Sequence, residues 1–136
     1  MALNKAYTQY KENSIFTSSP EELTLMLYNG LVKFIMLAVQ SIEEKDIKKA
    51  HDNFIRAQDI IVEFRTTLDL KYDIAKQLDS IYDYMYWRLT EANIHKDIEI
   101  ANEVLGYARE LRDTWAEAMK IAKSKSKSGR GTQVEQ

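Results

Sequence analysis

Cysteine is absent from the 136 residues of this chain, while proline occurs once, glycine four times and histidine twice. Without cysteine there is no disulfide framework and no thiolate metal site. The single proline, Pro20, opens an apolar helical pattern and interrupts none, and no segment reads convincingly as a strand. The sequence therefore predicts an all-α fold built from long, uninterrupted helices.

Composition places the chain among single-domain globular proteins. Charged residues make up 29% and apolar residues 45%, and the length suffices for one hydrophobic core. The N-terminus lacks the apolar core of a signal peptide, and Asn29 and Lys33 interrupt the apolar run at 25–39, so neither a signal sequence nor a membrane span is expected. A cytoplasmic location is predicted. The overall formal charge is −2, and because residues 123–136 carry a net charge of +3, the body of the chain carries −5, which argues against a nucleic-acid-binding domain.

The segment 123–136 differs from the rest of the chain in charge and complexity. It holds four basic residues against one glutamate, among serines and glycines, with almost no apolar side chains. Such a composition buries too little apolar surface to offset the entropy of folding. The segment is predicted to be a disordered basic tail, which is either a solvated end or a weak electrostatic contact for an acidic partner.

Apolar residues recur at helical spacing through most of the chain before this tail. A short stripe near the N-terminus predicts a small amphipathic segment, and residues 12–18 read as an extended connector. Four long helices with short connections follow, so consecutive helices should be antiparallel neighbours. The predicted domain, residues 1–122, is an antiparallel up-down-up-down four-helix bundle with an N-terminal cap segment at 1–19 and helices at about 20–43, 46–68, 71–93 and 97–122.

The last three of these helices each carry one apolar seam with steps of three or four residues, as coiled-coil helices do. Gly30 and Gly106 fall inside helices, where glycine costs about 1 kcal/mol relative to alanine, and close helix–helix approach is the predicted compensation. The predicted seams are Ile47, Ala50, Phe54, Ala57, Ile61, Phe64 and Leu68; Ile74, Leu78, Ile81, Met85, Leu89 and Ala92; and Ala101, Val104, Ala108, Leu111, Trp115, Ala118 and Ala122.

The first long helix begins with a strong start signal and is unusually apolar. Ser19 can cap it, Pro20 takes its first position, and Glu22 completes a capping box. A helical wheel then gives two apolar stripes instead of one. Either this helix is central and wholly buried, or its second stripe contacts a partner or a swappable segment of the same chain. The predicted core stripe is Leu23, Leu27, Leu31, Phe34 and Ala38, and the second stripe is Leu25, Val32, Met36 and Val39.

No constellation in the sequence suggests an active site. A di-iron bundle needs Glu-x-x-His pairs on two helices, whereas His95 lies four residues after Glu91 and His51 has no such partner. Both histidines are interpreted as solvated, and a phosphotransfer bundle is the weaker alternative. Neither a metal nor a cofactor is predicted. The aromatic cluster in the third helix, with Tyr84 and Trp87 on one face, reads either as rim packing or as a contact surface.

Three stretches resemble one known family. In order, spacing and length they are similar to FliS, the bacterial flagellar export chaperone family for flagellin, over about residues 4–120. The stretches are Tyr7-Thr8-Gln9-Tyr10; Ser19-Pro20-Glu21-Glu22-Leu23-Thr24-Leu25-Met26-Leu27-Tyr28-Asn29-Gly30; and Ile81-Tyr82-Asp83-Tyr84-Met85-Tyr86-Trp87-Arg88-Leu89 with Glu91-Ala92-Asn93.

The resemblance implies a function for the surplus apolar surface. Family members bind the disordered C-terminal segment of newly made flagellin in the cytoplasm, prevent its premature polymerisation and support its delivery to the flagellar type III export apparatus. The implied partners are this flagellin segment and, for the complex, the export platform protein FlhA. The anti-sigma factor FlgM as a further partner and a homodimer of the free protein stay open.

The resemblance and the wheel together predict the partner-binding residues. The N-terminal stripe is predicted to cover part of the apolar groove in the free protein, and flagellin would displace it. The alternative function is a helix-binding adaptor or regulator in another secretion system, and a non-enzymatic protein is expected in either case. The predicted partner-binding residues are Tyr7, Tyr10, Leu25, Tyr28, Val32, Met36 and Val39.

Overall fold

The computed structural model describes the backbone of residues 19–135 and the side chains of residues 19–126. Over that part of the chain the fold is all-helical, as predicted, with four helices and no strand. The helices are α1 (Pro20–Glu43), α2 (Ile47–Thr66), α3 (Asp73–His95) and α4 (Ile98–Glu135). Residues 1–18 of the predicted cap segment at 1–19, including Tyr7 and Tyr10, lie outside the described residues.

The predicted helix cap at Ser19 is confirmed, and Asp97 caps α4 in the same way. Ser19 Oγ accepts a hydrogen bond from the Glu22 amide at 3.2 Å, and Pro20 occupies the first turn of α1. Asp97 Oδ1 accepts from the Ile100 amide at 3.1 Å at the start of α4. Each cap satisfies one of the amide donors that a helix N-terminus leaves without an intrahelical partner.

The connections between helices are short and use left-handed backbone at two lysines. Lys45 has φ 63° in the α1–α2 connection, and Lys96 has φ 50° in the α3–α4 connection. A non-glycine residue in this region carries a steric cost. At Lys96 the ammonium group donates to the backbone and side-chain oxygens of Asn93, which partly offsets that cost.

Each helix packs against two others. α1 contacts α2 and α4, and α3 contacts the same two helices from the opposite side. Paired residues run in opposite order along neighbouring helices: the Trp115 indole donates to the Glu21 carbonyl at 3.0 Å, whereas Arg109 reaches Met36 farther along α1. The hydrophobic core lies where the inward faces of all four helices meet.

The core confirms the predicted α2 seam and shifts the predicted α1 stripe. The α2 residues from Ala50 to Phe64 in that seam are buried, although Ile47 at its start is 53% exposed. On α1 the buried line runs between the two predicted stripes, because the helix packs between α2 and α4 and only the middle of its apolar arc faces inward. That line is Tyr28, Leu31, Val32, Ile35 and Ala38.

The predicted α3 seam is wrong at Ile74 and Ile81, whereas Leu78 of the same seam packs against the core. Ile74 and Ile81 are 64% and 41% exposed, and Ala75 and Tyr82 are buried instead. The Tyr82 hydroxyl finds a partner inside the bundle in the hydroxyl of Tyr28. This pairing removes the usual cost of burying a polar group.

The two helical glycines differ in their surroundings. A Cβ atom at Gly30 would lie 3.2 Å from Ile60 Cδ1, so the predicted close approach is confirmed there. A Cβ atom at Gly106 would meet nothing within 4 Å, so the same prediction is wrong at Gly106. Gly106 faces outward on α4 and serves no helix contact.

The end of α4 also differs from the sequence prediction. Helical backbone continues to Glu135, past the predicted end at residue 122 and through the segment predicted to be disordered. No proline interrupts this stretch, so no residue in it blocks the continuation of the helical backbone. The predicted seam residues Ala118 and Ala122 are exposed, because the packed part of α4 ends near Trp115.

Among the described helices, α1 is long and apolar enough to cross a membrane by length and composition alone, with a mean hydropathy of 1.5 over its most apolar window. The core helix of a globular protein passes the same test. Here the inward face of α1 is part of the bundle core.

Candidate partner-binding surface

The surplus apolar surface of α1 is divided between the two sides of an outward ridge. Asn29, Lys33, Met36 and Gln40 form this ridge and are exposed. Apolar side chains flank it toward α2 on one side and toward α4 on the other. Among residues 19–126, α1 contacts two neighbouring helices and still presents apolar surface beside its exposed ridge that packing within this part of the chain does not use.

The first groove, the α1–α4 groove, has a volume of about 590 Å³. Val32 is 5% exposed and forms part of its floor, whereas Met36 is 47% exposed on its rim. Three residues of the predicted second stripe therefore share this groove. Its lining is Asn29, Val32, Lys33, Met36, Leu37, Val39, Gln40, Glu43, Asn102, Leu105 and Arg109.

The α1–α4 groove combines an apolar floor with a few charged side chains. Arg109 donates from its guanidinium to Met36 Sδ at 3.7 Å, which bridges the groove from α4 to α1. Lys33 and Glu43 are the remaining charged residues of the lining. A groove of this kind suits a helix that has one apolar face and polar margins.

The second groove, the α1–α2 groove, lies on the other side of the ridge. Its volume is about 380 Å³. At its floor, the missing side chain of Gly30 allows Ile60 of α2 to approach α1 closely. The Arg56 guanidinium lies 5.7 Å from the centre of the half-buried Phe34 ring nearby. The lining is Leu23, Met26, Leu27, Asn29, Gly30, Lys33, Phe34 and Ile60.

A third groove, the α3–α4 groove of about 530 Å³, lies away from α1 and is lined in part by Ile81, Tyr84 and Tyr107. Beside it the Tyr84 hydroxyl donates to Glu103 at 3.2 Å, and Arg88 Nε donates to the same carboxylate at 2.8 Å. The hydrogen bond from Arg88 lowers the pKa of Glu103. Tyr84 is thus held by polar contacts at the rim, and Trp87 is 58% exposed one turn farther along α3.

Tyr28 occupies the core and not a groove. Its hydroxyl oxygen lies 2.6 Å from that of Tyr82, and its ring stacks on Phe64 at 4.4 Å between centroids. Phe64 stacks in turn on Tyr82 at 5.4 Å. Burial raises the pKa of both tyrosines. The pair links α1 to α3 through a hydrogen bond that is closed to solvent.

The structure brings together only part of the predicted site. Val32, Met36 and Val39 line the α1–α4 groove, whereas Tyr28 is buried and Leu25 is half-buried and lines none of the three grooves. Tyr7 and Tyr10 lie outside the described residues. Partner binding by these seven residues stays a prediction.

Sequence reasoning missed the α4 wall of the α1–α4 groove. Leu105 adjoins the predicted seam residue Val104, so a wider α4 stripe could have indicated it. Nothing local marks Asn102 or Arg109, because their role depends on which helix lies opposite. Among the residues whose side chains are described, no three potential metal ligands converge, and His51 Nδ1 lies 3.0 Å from the Asn93 amide.

Comparison with known proteins adds a family to this geometry. The family model described as "Flagellar protein FliS" matches residues 3–122. The "Flagellar secretion chaperone FliS" of Bacillus subtilis (strain 168) is 44% identical over 131 residues, covering 96% of this chain and 98% of that protein. The proteins of the same name from Campylobacter jejuni and Salmonella typhimurium are each 30% identical, covering 86% and 82% of this chain and 93% and 85% of those proteins.

Proposed function

Because the chain belongs to the FliS family, we propose that it is a flagellar secretion chaperone that binds the disordered C-terminal segment of flagellin. In this proposal the chaperone acts in the cytoplasm, where it prevents premature polymerisation and supports delivery of flagellin to the flagellar type III export apparatus. The names of these relatives support the chaperone class. The flagellin segment as client is our proposal for this chain.

One structural observation carries the proposal: apolar grooves lie on both sides of the exposed α1 ridge. A disordered segment that folds as a helix in such a groove buries its apolar face and loses conformational entropy as it binds. Met36 suits this use, since a flexible thioether side chain adapts to irregular surfaces. The same grooves support self-association of the free protein.

The scaffold we infer for this function is an up-down-up-down bundle. The opposite order of paired residues on neighbouring helices supports it. Between α2 and α3, for example, Arg65 contacts Asp79 at 2.8 Å, whereas Gln58, earlier on α2, contacts Thr90, later on α3, at 2.8 Å. The export platform protein FlhA is proposed as the receiver of the complex on the basis of family membership alone. Family membership supports the anti-sigma factor FlgM as a further partner in the same way.

Isothermal titration with the C-terminal flagellin segment of the same bacterium tests the proposal. We expect one-to-one binding, with a gain of helicity in circular dichroism of the mixture. Met36→Ala should weaken binding by over about 1 kcal/mol if Met36 lies at the centre of the interface, with little change in stability. Ile94→Ala is the matched control, because Ile94 is 70% exposed and lines none of the grooves beside α1.

A well-folded protein that does not bind this segment would overturn the proposal. A helix-binding adaptor or regulator in another secretion system would then be the better reading. If Met36→Ala and Ile94→Ala weaken the binding of flagellin equally, the client binds elsewhere on the bundle and not in the grooves beside α1.

The proposed cover of the groove by the N-terminal segment has its own test. Deleting residues 1–11, with Tyr7 and Tyr10, should change the affinity for flagellin and leave helicity largely intact. If the deletion neither changes affinity nor increases binding of an apolar dye, the segment does not cover the groove.

A further inference from the structure

The α1–α4 groove carries charges of opposite sign toward its two ends. Lys33 lies near the end that begins at Asn29, and Glu43 lies at the other end. Arg109 is placed from α4 by its contact with Met36. Among residues 19–126, no ion pair includes Lys33, Glu43 or Arg109. Within this part of the chain, no ion pair neutralises these three charges.

Helix geometry fixes how far apart the charges are. Lys33 and Glu43 are ten residues apart on α1, which corresponds to about 15 Å along the helix axis. Arg109 lies beside Met36, one turn from Lys33 and about 10 Å along the axis from Glu43. The groove thus has a cationic part and an anionic end, separated by two to three helical turns of apolar floor.

The backbone dipoles of the two walls add little to this asymmetry. α1 ends at Glu43, and α4 begins at Ile98 on the same side of the bundle. The partial charges of these two helix ends have opposite sign and lie close together, so they largely cancel. The side-chain charges therefore decide the field along the groove.

We infer that this field sets the direction of the bound segment. The segment lies in the α1–α4 groove as a helix antiparallel to α1, with its C-terminal end at Lys33 and Arg109 and its N-terminal end at Glu43. The C-terminus of a helix carries partial negative charge and the N-terminus partial positive charge, so this direction matches both ends. The inference rests on the proposed function, because its occupant is the C-terminal flagellin segment.

The same field restricts the class of segment that binds well. The apolar stripe of the segment packs on Val32, Val39 and Leu105, at i, i+3 or i+4, and i+7 spacing. Carboxylates in its C-terminal turns face Lys33 and Arg109. A segment with lysine or arginine in those turns is repelled, which gives the groove selectivity as well as apolar affinity.

Site-specific spin labels test the direction directly, because the chain has no cysteine of its own. Asn29→Cys and Asn102→Cys each place one nitroxide on an exposed residue near an opposite end of the groove. With an isotopically labelled flagellin segment bound to the full chain, we expect the Asn29→Cys label to broaden amide signals of its C-terminal half. The Asn102→Cys label should broaden signals of its N-terminal half.

The reverse assignment would overturn the inferred direction while leaving the proposed function intact. Binding with no broadening from either label would place the segment outside this groove and would also overturn the inference. Absence of binding by the unlabelled wild-type protein in titration, with normal helicity, would remove the proposed function and the inference together. Helicity and unfolding midpoint of each labelled variant show that the bundle is unchanged.

Charge reversal gives a second, independent readout. Arg109→Glu should weaken binding about fivefold at low salt, since it removes one exposed attraction and adds a repulsion. The loss should largely disappear at 1 M salt, where the screening length is about 3 Å. Lys76→Glu makes the same charge change on an exposed residue of α3, outside the grooves, and should leave affinity unchanged. Equal affinities of the Arg109→Glu variant and the wild type would show that the charges do not direct binding.

Discussion

Tyr28→Phe should destabilise the bundle even though it keeps the aromatic ring. The two hydroxyl oxygens of Tyr28 and Tyr82 are 2.6 Å apart, and the side chains are only 5% and 2% exposed. Removing one hydroxyl leaves the other buried without its partner. An unsatisfied buried hydroxyl costs about 1–3 kcal/mol, which is a large fraction of the roughly 5–15 kcal/mol by which domains are stable.

The double variant, Tyr28→Phe with Tyr82→Phe, should be much less affected than either single variant predicts. It removes both polar groups and keeps both stacks on Phe64, at 4.4 and 5.4 Å. Apolar replacement of both partners of a buried hydrogen bond is often nearly neutral. We expect the double variant to lie within about 1 kcal/mol of the wild type and the coupling free energy to be about 2 kcal/mol.

Urea unfolding followed by far-UV circular dichroism measures all four members of this cycle. Tyr72→Phe is the control, because Tyr72 is 59% exposed and should lose no stability. If the two single losses add up in the double variant, the hydroxyl pair is not an isolated buried contact, and the reasoning is refuted. An unchanged urea dependence of the free energy across the variants would show that the same surface unfolds in each.

Two further perturbations follow from the same core and its glycines. Burial raises the pKa of Tyr28 and Tyr82 above 10.0. The stability contributed by their protonated forms is therefore complete below pH 10 and decreases above it, by about 1.4 kcal/mol per pH unit for each tyrosine. Urea unfolding at alkaline pH should show this decrease, and the double phenylalanine variant should lack it. Gly106→Ala should stabilise the protein by about 1 kcal/mol, because nothing lies near the added Cβ atom. Gly30→Ala should gain less or lose stability, because its added Cβ atom would lie 3.2 Å from Ile60 Cδ1. Thermal unfolding compares the two variants, and equal gains in stability would contradict the crowding at Gly30.

Local periodicity was sufficient to predict the helices and much of the core. The α2 seam prediction succeeded between Ala50 and Phe64, where the seam residues repeat at regular steps of three and four and are buried. The start of α1 was equally predictable, since Ser19 and Pro20 are strong signals within a few residues of each other. These features depend on neighbours in sequence, which the sequence displays directly.

Contacts between distant helices were not predictable in the same way. Tyr82 is buried in place of Ile81, and its hydroxyl is paired with that of Tyr28, which lies 54 residues away in the sequence. Arg109 lines the α1–α4 groove because α4 packs beside Met36, 73 residues away. The wheel of α1 grouped Val32, Met36 and Val39 correctly on one face, yet it could not show which helix forms the opposite wall.

The hydrogen bond from the Trp115 indole to the Glu21 carbonyl provides an intrinsic optical reporter. It connects α4 to the first turn of α1, immediately after the segment that precedes Ser19. The only other tryptophan, Trp87, is 58% exposed on α3, so Trp87→Phe would leave a single emitter. The emission wavelength of Trp115 and its quenching by iodide would then report rearrangements at the N-terminal end of α1 in a protein without added labels. Stopped-flow fluorescence could follow these changes in time.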